Sequence, residues 1–517
     1  MDKSQVAPVL IGGAWREPEV VDVYGAEDPA TAQPLAPRFA VSDWSDVDAA
    51  LNAAASAAAT QPTPPAERIA AFLRDYAQRI EADAEAVCAT AAQETGLPVT
   101  PRLKDVELPR TTNQQRLAAT AALDAAWRLP QWDAQANIGS ILEPVGPVVV
   151  MGPNNFPLAF NSVCGGDFAA ALAAGNPVLA IAHRNYPSTC RRLAEHAHAA
   201  ATATGLPAGW VQMIYRVRRA DGVRLVADER VGGVGFTGSR DAGLALKSAA
   251  DAVGKPIYLE MSSVNPVVLL PGALDERGDE VLTELVTSAL MGAGQFCTSP
   301  GLVFLVRGEA TERFLASWAD RYDKAPCGTL LARSTAEALA AGVRALVEAG
   351  AEVVCGNRPA DRPGYAWGNT LLRVEGQRFL DNPHALQAEV FGNATLAVVV
   401  AETSQLQQCL ARLEGNLTGC VYSARDGRDD AAYGAVAAAL RPRVGRLLND
   451  KMPTGVAVSP AMNHGGPFPA TGHPHFTSVG LPAAMRRFTR LACYDNVRPH
   501  RLPAPLRDLA AAAPART

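Results

Sequence analysis

Apolar residues in the first part of the chain recur at three- and four-residue spacings, a pattern typical of helices that bury one face. Two Ala-rich stretches, 49–59 and 66–92, carry this pattern and predict two long helices. Short apolar runs at 9–11 and 20–24 precede them and predict small strands. Three prolines separate the two predicted helices: Pro62, Pro64 and Pro65.

A different rhythm begins near residue 145, where short apolar runs alternate with amphipathic stretches. The predicted strands are 148–151, 178–182, 210–214, 231–236 and 257–261. The predicted helices between them are 161–174, 188–204, 222–227 and 241–253. Such alternation is typical of βαβ units, so we predict an α/β fold with a parallel sheet that helices cover on both faces.

The alternation restarts after residue 271 and predicts a second α/β unit. Its predicted helices are 276–291, 309–321 and 334–348, and its predicted strands are 302–306 and 395–400. The polar segment 127–142 interrupts the first unit and predicts an excursion or arm. The Gly/Pro-rich region after Leu447 is expected to form loops that return to the first unit.

Composition narrows the class of protein. The 517 residues suggest about three folding units, and 48% hydrophobic with 19% charged residues excludes a disordered chain. The net charge of −5 offers no basic surplus for nucleic acid, and polar residues interrupt the most apolar stretch, so we expect neither nucleic-acid binding nor a membrane span. Nine cysteines without a Cys-x-x-Cys pair, and no signal-peptide pattern, predict a cytoplasmic protein.

Two segments at predicted strand ends are candidates for ligand binding. Asn155 follows a Gly-Pro-Asn turn, and its amide can donate hydrogen bonds to a developing oxyanion. A simple turn is the alternative. Gly238, Ser239 and Gly243 lie between a predicted strand and a helix, where free N–H groups can bind phosphate. The spacing is not the usual dinucleotide fingerprint, so a helix cap formed by Ser239 is the alternative.

Two further residues are candidates for chemistry. Glu260 is a carboxylate in an apolar strand, where burial is expected to raise its pKa toward that of a usable general base. A strand-end carboxylate in a salt bridge is the alternative. Cys297 follows Gly294-Gln295-Phe296 at a helix-to-strand transition and is a candidate thiolate nucleophile. The alternative is a small, inert apolar side chain.

Taken together and in this order, the segments resemble the NAD(P)-dependent aldehyde dehydrogenase superfamily. The resemblance runs from LIGG at 10–13 to about Asn496. It is greatest to the branch that contains α-ketoglutaric semialdehyde dehydrogenases and bacterial NADP-dependent fatty-aldehyde dehydrogenases. The matching stretches are NFPLAF at 155–160, EMSSVNP at 260–266 and MNHGGPFPAT at 462–471.

The resemblance implies a role for each of these positions. Cys297 would be the nucleophile and Glu260 the general base, and the Asn155 amide would hold the oxyanion together with the Cys297 backbone N–H. The cysteine would form a thiohemiacetal and, after hydride transfer to the nicotinamide, a thioester that water hydrolyses to the acid. The cofactor would be bound at Gly238, Ser239 and Gly243, with Glu389 at the nicotinamide-side ribose and Phe391 near the nicotinamide.

The sequence departs from the family pattern at the adenosine end. Ile181 stands where the family usually has a lysine. Arg184 and Arg216 are expected to take its place by binding a 2′-phosphate, which predicts NADP in preference to NAD. The alternative is that these arginines are solvated surface residues.

The resemblance also implies a substrate pocket lined by Ala159, Phe160, Val163 and Phe296. These residues are apolar, and no arginine is evident for a substrate carboxylate. We therefore expect an aliphatic or aromatic aldehyde rather than a dicarboxylic semialdehyde. No metal site is expected, because the chain's histidine pairs, His196 with His198 and His473 with His475, are interpreted as solvated.

The family fold implies a Rossmann-type cofactor domain at 1–127 and 143–271 and a catalytic domain at 272–455. Oligomerisation elements are expected at 128–142 and 485–517, and residues 456–484 are expected to return toward the active site. A homodimer or homotetramer would follow. The alternative functions are a coenzyme-A-acylating enzyme, which the presence of Glu260 argues against, and a non-catalytic member of the superfamily.

Overall fold

A computed structural model describes residues 6–61 and 65–512. Pro62, Pro64 and the last five residues of the chain lie outside the described residues, so the predicted proline break is described only at Pro65. Among the described residues, no helix is both long and apolar enough to cross a bilayer.

The described chain forms nineteen strands and sixteen α-helices. The strands are β1 (Val9–Ile11), β2 (Ala14–Arg16), β3 (Val20–Asp28), β4 (Gln33–Ser42), β5 (Gln131–Asp133), β6 (Ile138–Pro144), β7 (Val148–Met151), β8 (Val178–Ile181), β9 (Val211–Ile214), β10 (Gly233–Thr237), β11 (Ile257–Glu260), β12 (Val267–Leu269), β13 (Leu302–Val306), β14 (Glu352–Cys355), β15 (Thr370–Glu375), β16 (Ala394–Val400), β17 (Asn416–Tyr422), β18 (Val444–Asn449) and β19 (Thr489–Asp495). The helices are α1 (Trp44–Thr60), α2 (Ala66–Ala82), α3 (Ala84–Thr95), α4 (Leu108–Leu123), α5 (Gly166–Ala173), α6 (Pro187–Thr204), α7 (Arg219–Ala227), α8 (Arg240–Asp251), α9 (Pro271–Leu290), α10 (Glu309–Lys324), α11 (Arg333–Glu348), α12 (Gly376–Asp381), α13 (Pro383–Leu386), α14 (Thr403–Ala411), α15 (Asp430–Leu440) and α16 (Ala504–Ala512).

The first large sheet has the strand order β11-β10-β7-β8-β9-β1-β2. Its five strands from β7 to β11 are parallel and run 3-2-1-4-5 in chain order, which is the order of a doubly wound nucleotide-binding sheet. The chain reverses direction across the sheet between β7 and β10. A crevice therefore opens at the carboxyl ends of these two strands, and this is where ligands bind in such sheets.

The second large sheet has the order β14-β15-β16-β13-β12-β17-β18, with β14 antiparallel at one edge. Separate apolar clusters cover its two faces, because alternate residues of β12 point in opposite directions: Val268 lies in one cluster and Val267 and Leu269 in the other. These two sheets confirm the predicted α/β class. The chain passes from the first to the second between Glu260 and Val267, ahead of the boundary predicted near 271.

The predicted excursion forms the hairpin β5–β6, and β6 pairs antiparallel with β19 near the C-terminus. The loop at 456–484 contacts the first sheet, where the Met261 N–H donates to the Ala470 carbonyl at 2.8 Å. The assignment of these segments and both sheets to separate functional domains stays a prediction.

Two helix predictions were wrong, and hydrogen bonds to polar side chains explain both. The helix predicted at 66–92 is two helices that break at Asp83, whose carboxylate accepts hydrogen bonds from Arg192 and His196 on α6. The helix predicted at 161–174 starts only at Gly166. Asn161 holds a turn before it, because its side-chain oxygen accepts the Val163 N–H at 2.8 Å.

Candidate active site

A cleft of about 750 Å³ lies at the crevice between β7 and β10. Its size is in the range of cofactor sites. Nine of the residues predicted to act in catalysis or cofactor binding line it: Asn155, Arg184, Arg216, Gly238, Ser239, Glu260, Cys297, Glu389 and Phe391. Residues that are far apart in sequence therefore meet in one cavity.

Cys297 follows a tight turn at the end of α9. Gly294 has φ +69°, and a β-carbon there would lie 2.1 Å from the Gly392 carbonyl oxygen, so the turn requires glycine. The Asn265 amide fixes the next residues by donating to the carbonyls of Cys297 at 2.8 Å and Ser299 at 2.9 Å. Burial raises the pKa of the Cys297 thiol well above its ordinary value, and the nearby Glu260 carboxylate raises it further. Cys297 is therefore a thiol at rest.

Glu260 ends β11 and is only 5% exposed. One carboxylate oxygen contacts Nε2 of His464 at 2.8 Å, and the other accepts the Ser478 hydroxyl at 2.9 Å. Burial alone raises the pKa of Glu260, but His464 and the hydrogen bonds outweigh it, so the pKa lies below its ordinary value. The prediction of a raised pKa was wrong, because these two partners come from a distant loop. Glu260 is ionised and able to accept a proton.

His464 is the residue that sequence reasoning missed. Its Nε2 lies 3.5 Å from Sγ of Cys297 as well as 2.8 Å from Glu260. Its Nδ1 is buried and has no hydrogen-bond partner in the described part of the chain. His464 belongs to the stretch 462–471 that carried the family resemblance, but a lone histidine in a glycine-rich loop gave no further signal.

Asn155 follows β7 and lies against the nucleophile turn. Its side-chain Nδ2 donates to the Gln295 backbone carbonyl at 3.0 Å. The backbone carbonyl of Asn155 accepts a hydrogen bond from the Arg102 guanidinium at 3.1 Å. An amide nitrogen carries two hydrogens, so a second N–H remains for a ligand oxygen beside Cys297.

The glycines on the cofactor side are required by close packing. A β-carbon at Gly238 would lie 2.7 Å from the Phe236 ring, and one at Gly243 would lie 2.9 Å from the Met261 sulfur. Gly243 is not among the residues that line the cleft. Ser239 caps α8, because its hydroxyl oxygen accepts the Ala242 N–H at 3.4 Å, as the alternative interpretation expected. The same residue also lines the cleft.

Glu389 reaches the cleft from the second unit. Its carboxylate accepts the Ser263 N–H at 3.4 Å. Burial raises the pKa of Glu389 to about 7, despite hydrogen bonds from Ser262 and Ser263 that lower it. Arg184 and Arg216 also line the cleft, as does Ile181. Both arginines are exposed and form no ion pair among the described residues.

Three of the four residues predicted to line the substrate pocket belong to an aromatic cluster next to Cys297 in the chain. Ala159 and Phe296 pack with Phe156, and Phe160 packs against them. Val163 instead packs in the core of the first unit, because its segment faces helix α2 and its carbonyl accepts the Tyr76 hydroxyl. The structure therefore does not bring Val163 together with the other three predicted pocket residues.

Arginines border this cluster, so the expectation that none would be available was wrong. The Arg110 guanidinium lies 5.3 Å from the Phe160 ring centre and donates to the Val456 carbonyl. Its Nε and Nη2 are buried without partners in the part of the chain that is described. Arg446 has a partnerless buried Nε as well. Burial lowers the pKa of both, and the charges of both act on Cys297. The sequence did not indicate these contacts, because both arginines are more than 100 positions away from Cys297 in the chain.

Three donor atoms in the site are close enough to suit a metal ion. These atoms lie within 4.8 Å of one another and belong to Glu260, Cys297 and His464, with one atom from each residue. Their mutual hydrogen bonds account for the same spacing, so the expected absence of a metal stays a prediction. His196 is not a free solvated histidine, because it contacts Asp83 at 2.8 Å.

Comparison with known proteins identifies the family. The sequence profile of the aldehyde dehydrogenase family matches residues 15–466. The chain is 40% identical over 500 residues to α-ketoglutaric semialdehyde dehydrogenase 2 of Azospirillum brasilense, covering 93% of each chain. It is 36% identical over 493 residues to α-ketoglutaric semialdehyde dehydrogenase of Acinetobacter baylyi, covering 92% of this chain and 91% of the relative.

Solved structures share the fold. Thermus 1-pyrroline-5-carboxylate dehydrogenase with bound NAD superposes with a TM-score of 0.82 at 22% identity, covering 95% of this chain and 92% of that one. The NAD complex of Bacillus cereus aldehyde dehydrogenase gives 0.80 at 19% identity, covering 95% and 96%. The chain belongs to the aldehyde dehydrogenase family and is an NAD(P)-dependent enzyme that oxidises an aldehyde to the carboxylic acid.

Proposed function

We propose that this enzyme oxidises aldehydes whose far end carries a carboxylate, with Cys297 as nucleophile, Glu260 as general base and Asn155 as oxyanion donor. The observation that supports the chemistry is the convergence of these three residues at one end of a single cleft. The observation that supports the substrate class is that Arg110, which lies against the Phe160 ring, and Arg446 each bury an Nε without a partner and act by their charge on Cys297.

The first half of the reaction forms a covalent adduct. The Cys297 thiol passes its proton to the Glu260 carboxylate, and the thiolate sulfur bonds to the aldehyde carbon while the carbonyl electrons move to oxygen. That oxygen becomes negative beside the free N–H of Asn155 and the Cys297 backbone N–H. Donors that are already in place stabilise it without reorganisation. The nicotinamide cofactor, when bound, accepts the hydride that leaves the substrate carbon.

The second half releases the acid. A thioester on Cys297 must be hydrolysed, and water is a poor nucleophile until it gives up a proton. Glu260 is ionised and sits in the same cleft, so it can accept that proton as the water oxygen bonds to the acyl carbon. The carbon–sulfur bond then breaks and returns the thiolate. A coenzyme-A-acylating enzyme would not need this base.

The cleft fits a nicotinamide dinucleotide in several respects. Its volume suits a large ligand, Ser239 at the N-terminus of α8 faces a diphosphate position, and Glu389 can accept hydrogen bonds from a ribose. These residues would hold the cofactor, and Phe391 would pack near the reactive ring.

The carboxylate preference rests on Arg110 and Arg446. A buried guanidinium with free N–H groups is costly unless an anion meets it. The two relatives described above are named for α-ketoglutaric semialdehyde, a compound that carries a carboxylate. A semialdehyde of a small dicarboxylic acid could place its aldehyde at Cys297 and its carboxylate at these arginines.

Replacing Arg110 by Gln is expected to lower kcat/KM for a carboxylate-bearing aldehyde by about ten- to hundredfold. This is the loss of one charge-assisted hydrogen bond of roughly 1.5–3 kcal/mol. A neutral aldehyde of the same chain length should change by less than about threefold. Arg128→Gln is a matched control, since Arg128 is also partly buried but donates to Leu142 away from the cleft. Equal losses for both aldehydes would contradict the carboxylate role.

We further propose a preference for NADP over NAD. Arg184 and Arg216 are charged groups that line the cleft together with Ile181 and are free of ion pairs among the described residues. A guanidinium can donate two parallel hydrogen bonds to a 2′-phosphate, and NAD offers no such acceptor.

Arg184→Ala is expected to reduce the ratio of kcat/KM for NADP to that for NAD by about tenfold or more, the loss of one phosphate hydrogen bond. Arg218→Ala serves as the control: Arg218 lines the same cleft, but its guanidinium is engaged by Asp221. A wild-type enzyme that prefers NAD, or an unchanged ratio in Arg184→Ala, would refute the role of Arg184.

We propose a cytoplasmic homodimer or homotetramer. The three-stranded sheet of β5, β6 and β19 supports this. Its outer strand β19 leaves Leu491 70% exposed, and an exposed edge strand can pair with a second copy.

A further inference from the structure

His464 contacts both of the groups that the proposed mechanism uses. Its Nε2 lies 2.8 Å from the Glu260 carboxylate and 3.5 Å from the Cys297 sulfur. The residue is 2% exposed, and the Phe160 ring lies 5.9 Å away, centre to centre. One ring nitrogen therefore lies between the base and the nucleophile, and solvent does not compete for it.

The surroundings of the ring fix which nitrogen carries the proton. Nε2 faces an ionised carboxylate, so it must carry hydrogen to avoid two lone pairs meeting. Nδ1 is buried with no partner among the described residues. Nε2 is therefore the ring nitrogen that serves both neighbouring groups. The Cys297 thiol proton also faces Glu260.

We propose that the Nε2–H of His464 is a hydrogen-bond donor shared by base and nucleophile, and that it moves from Glu260 to the Cys297 sulfur when the thiolate forms. This rests on the proposed roles of Cys297 and Glu260. The thiol proton passes to the Glu260 carboxylate, which leaves a thiolate and a neutral carboxyl group. The neutral carboxyl is a weaker acceptor, so the N–H turns to the sulfur. Nothing is oxidised, and the histidine keeps its proton throughout.

The shared donor resolves a conflict within the site. Burial and the Glu260 charge both oppose a thiolate at Cys297. A protonated Glu260 removes the second obstacle, and a donated N–H stabilises the new anion. The sulfur loses its charge as soon as it bonds to the aldehyde carbon. Glu260 then releases its proton to solvent, is again ionised for hydrolysis, and accepts the His464 N–H once more.

Other charged groups face the same cluster and enter its pH dependence. Glu389 opposes the thiolate, whereas Arg110 and Arg446 favour it. A small cavity behind Glu260 and His464 is lined in addition by Asp167, His473 and Arg487. The test therefore compares the pH profiles of variants with that of the wild type, because these charged groups are the same in all of them.

The test uses the rate at which iodoacetamide alkylates Cys297 in the full-length enzyme without cofactor, measured against pH, with the modified residue mapped by mass spectrometry. His464→Gln keeps an amide N–H at about the reach of Nε2, whereas His464→Asn is an amide too short to reach the sulfur. We expect the Asn variant to react about ten- to hundredfold more slowly at pH 8, with its profile moved to higher pH, and the Gln variant to recover most of the rate.

His475→Phe is the control, since His475 is an exposed histidine of the same loop. It should match the wild type, and thermal unfolding checks that the Asn and Gln variants fold equally well. Equal profiles for wild type and His464→Asn, or equal losses in the Asn and Gln variants, would overturn the shared donor. Alkylation at a residue other than Cys297 would instead refute the proposed nucleophile.

Discussion

Cys297→Ala is expected to lower dehydrogenase activity by more than about a thousandfold while the protein still folds and binds cofactor. The alanine removes the only atom in the cleft that can bond to the aldehyde carbon in the proposed route, and a covalent route has no partial substitute. The turn at Cys297 is held by the Asn265 side-chain amide, which donates to the Cys297 backbone carbonyl and does not use the thiol. Activity follows from NAD(P)H absorbance, and cofactor binding from fluorescence quenching.

Cys420→Ala is the matched control, because Cys420 is a buried cysteine of the second sheet and does not line the cleft. It should lose some stability but keep its turnover at a temperature where it is folded. If Cys297→Ala retained more than a few per cent of wild-type turnover, the sulfur would not be the nucleophile.

Glu260→Gln is expected to produce one equivalent of NAD(P)H per active site, in a burst slower than that of the wild type because the Cys297 thiol proton must then pass to solvent. It should afterwards turn over about a hundred- to ten-thousandfold more slowly than the wild type. The amide preserves the shape of the side chain but cannot accept a proton from water, so the thioester accumulates. A stopped-flow trace separates the burst from the steady state.

Hydroxylamine provides an internal control for this variant. It attacks a thioester without help from a base, so adding it should restore continuous NAD(P)H formation in Glu260→Gln. A variant that showed neither a burst nor rescue would make Glu260 indispensable before hydride transfer and would leave its role in hydrolysis without support. Unchanged steady-state turnover would remove Glu260 from the mechanism.

The strands of the fold were the most predictable elements. Buried parallel strands are continuous apolar runs, and β7 and β13 begin and end where those runs do. The errors came from polar side chains that act locally or across the fold. Asp83 breaks a helix that its neighbours favour, and Asn161 delays another. The pairing of β6 with β19 joins segments some 350 residues apart, which no local pattern encodes.

The site also has features that the sequence predicted and features that it did not. Cys297, Glu260 and Asn155 were assigned from motifs, and the cleft brings them together. The sign of the Glu260 pKa shift could not be predicted, because it depends on His464, which is 204 positions away in the chain. Arg110 was missed for a similar reason: its contact with Phe160 joins α4 to a loop after β7. Contacts with charged side chains that are distant in sequence therefore set the pKa values of the site, and motifs alone do not predict them.

The most direct test of covalent aldehyde oxidation is the intact mass of Glu260→Gln after mixing with a carboxylate-bearing aldehyde and NADP. We predict one adduct per chain, heavier by the aldehyde mass less two hydrogens, since the thioester has lost a hydride and a proton. Peptide mapping should place it on Cys297, and Cys297→Ala should carry none. An unmodified protein that has nonetheless produced NADPH, or an adduct on another residue, would contradict a thioester at Cys297.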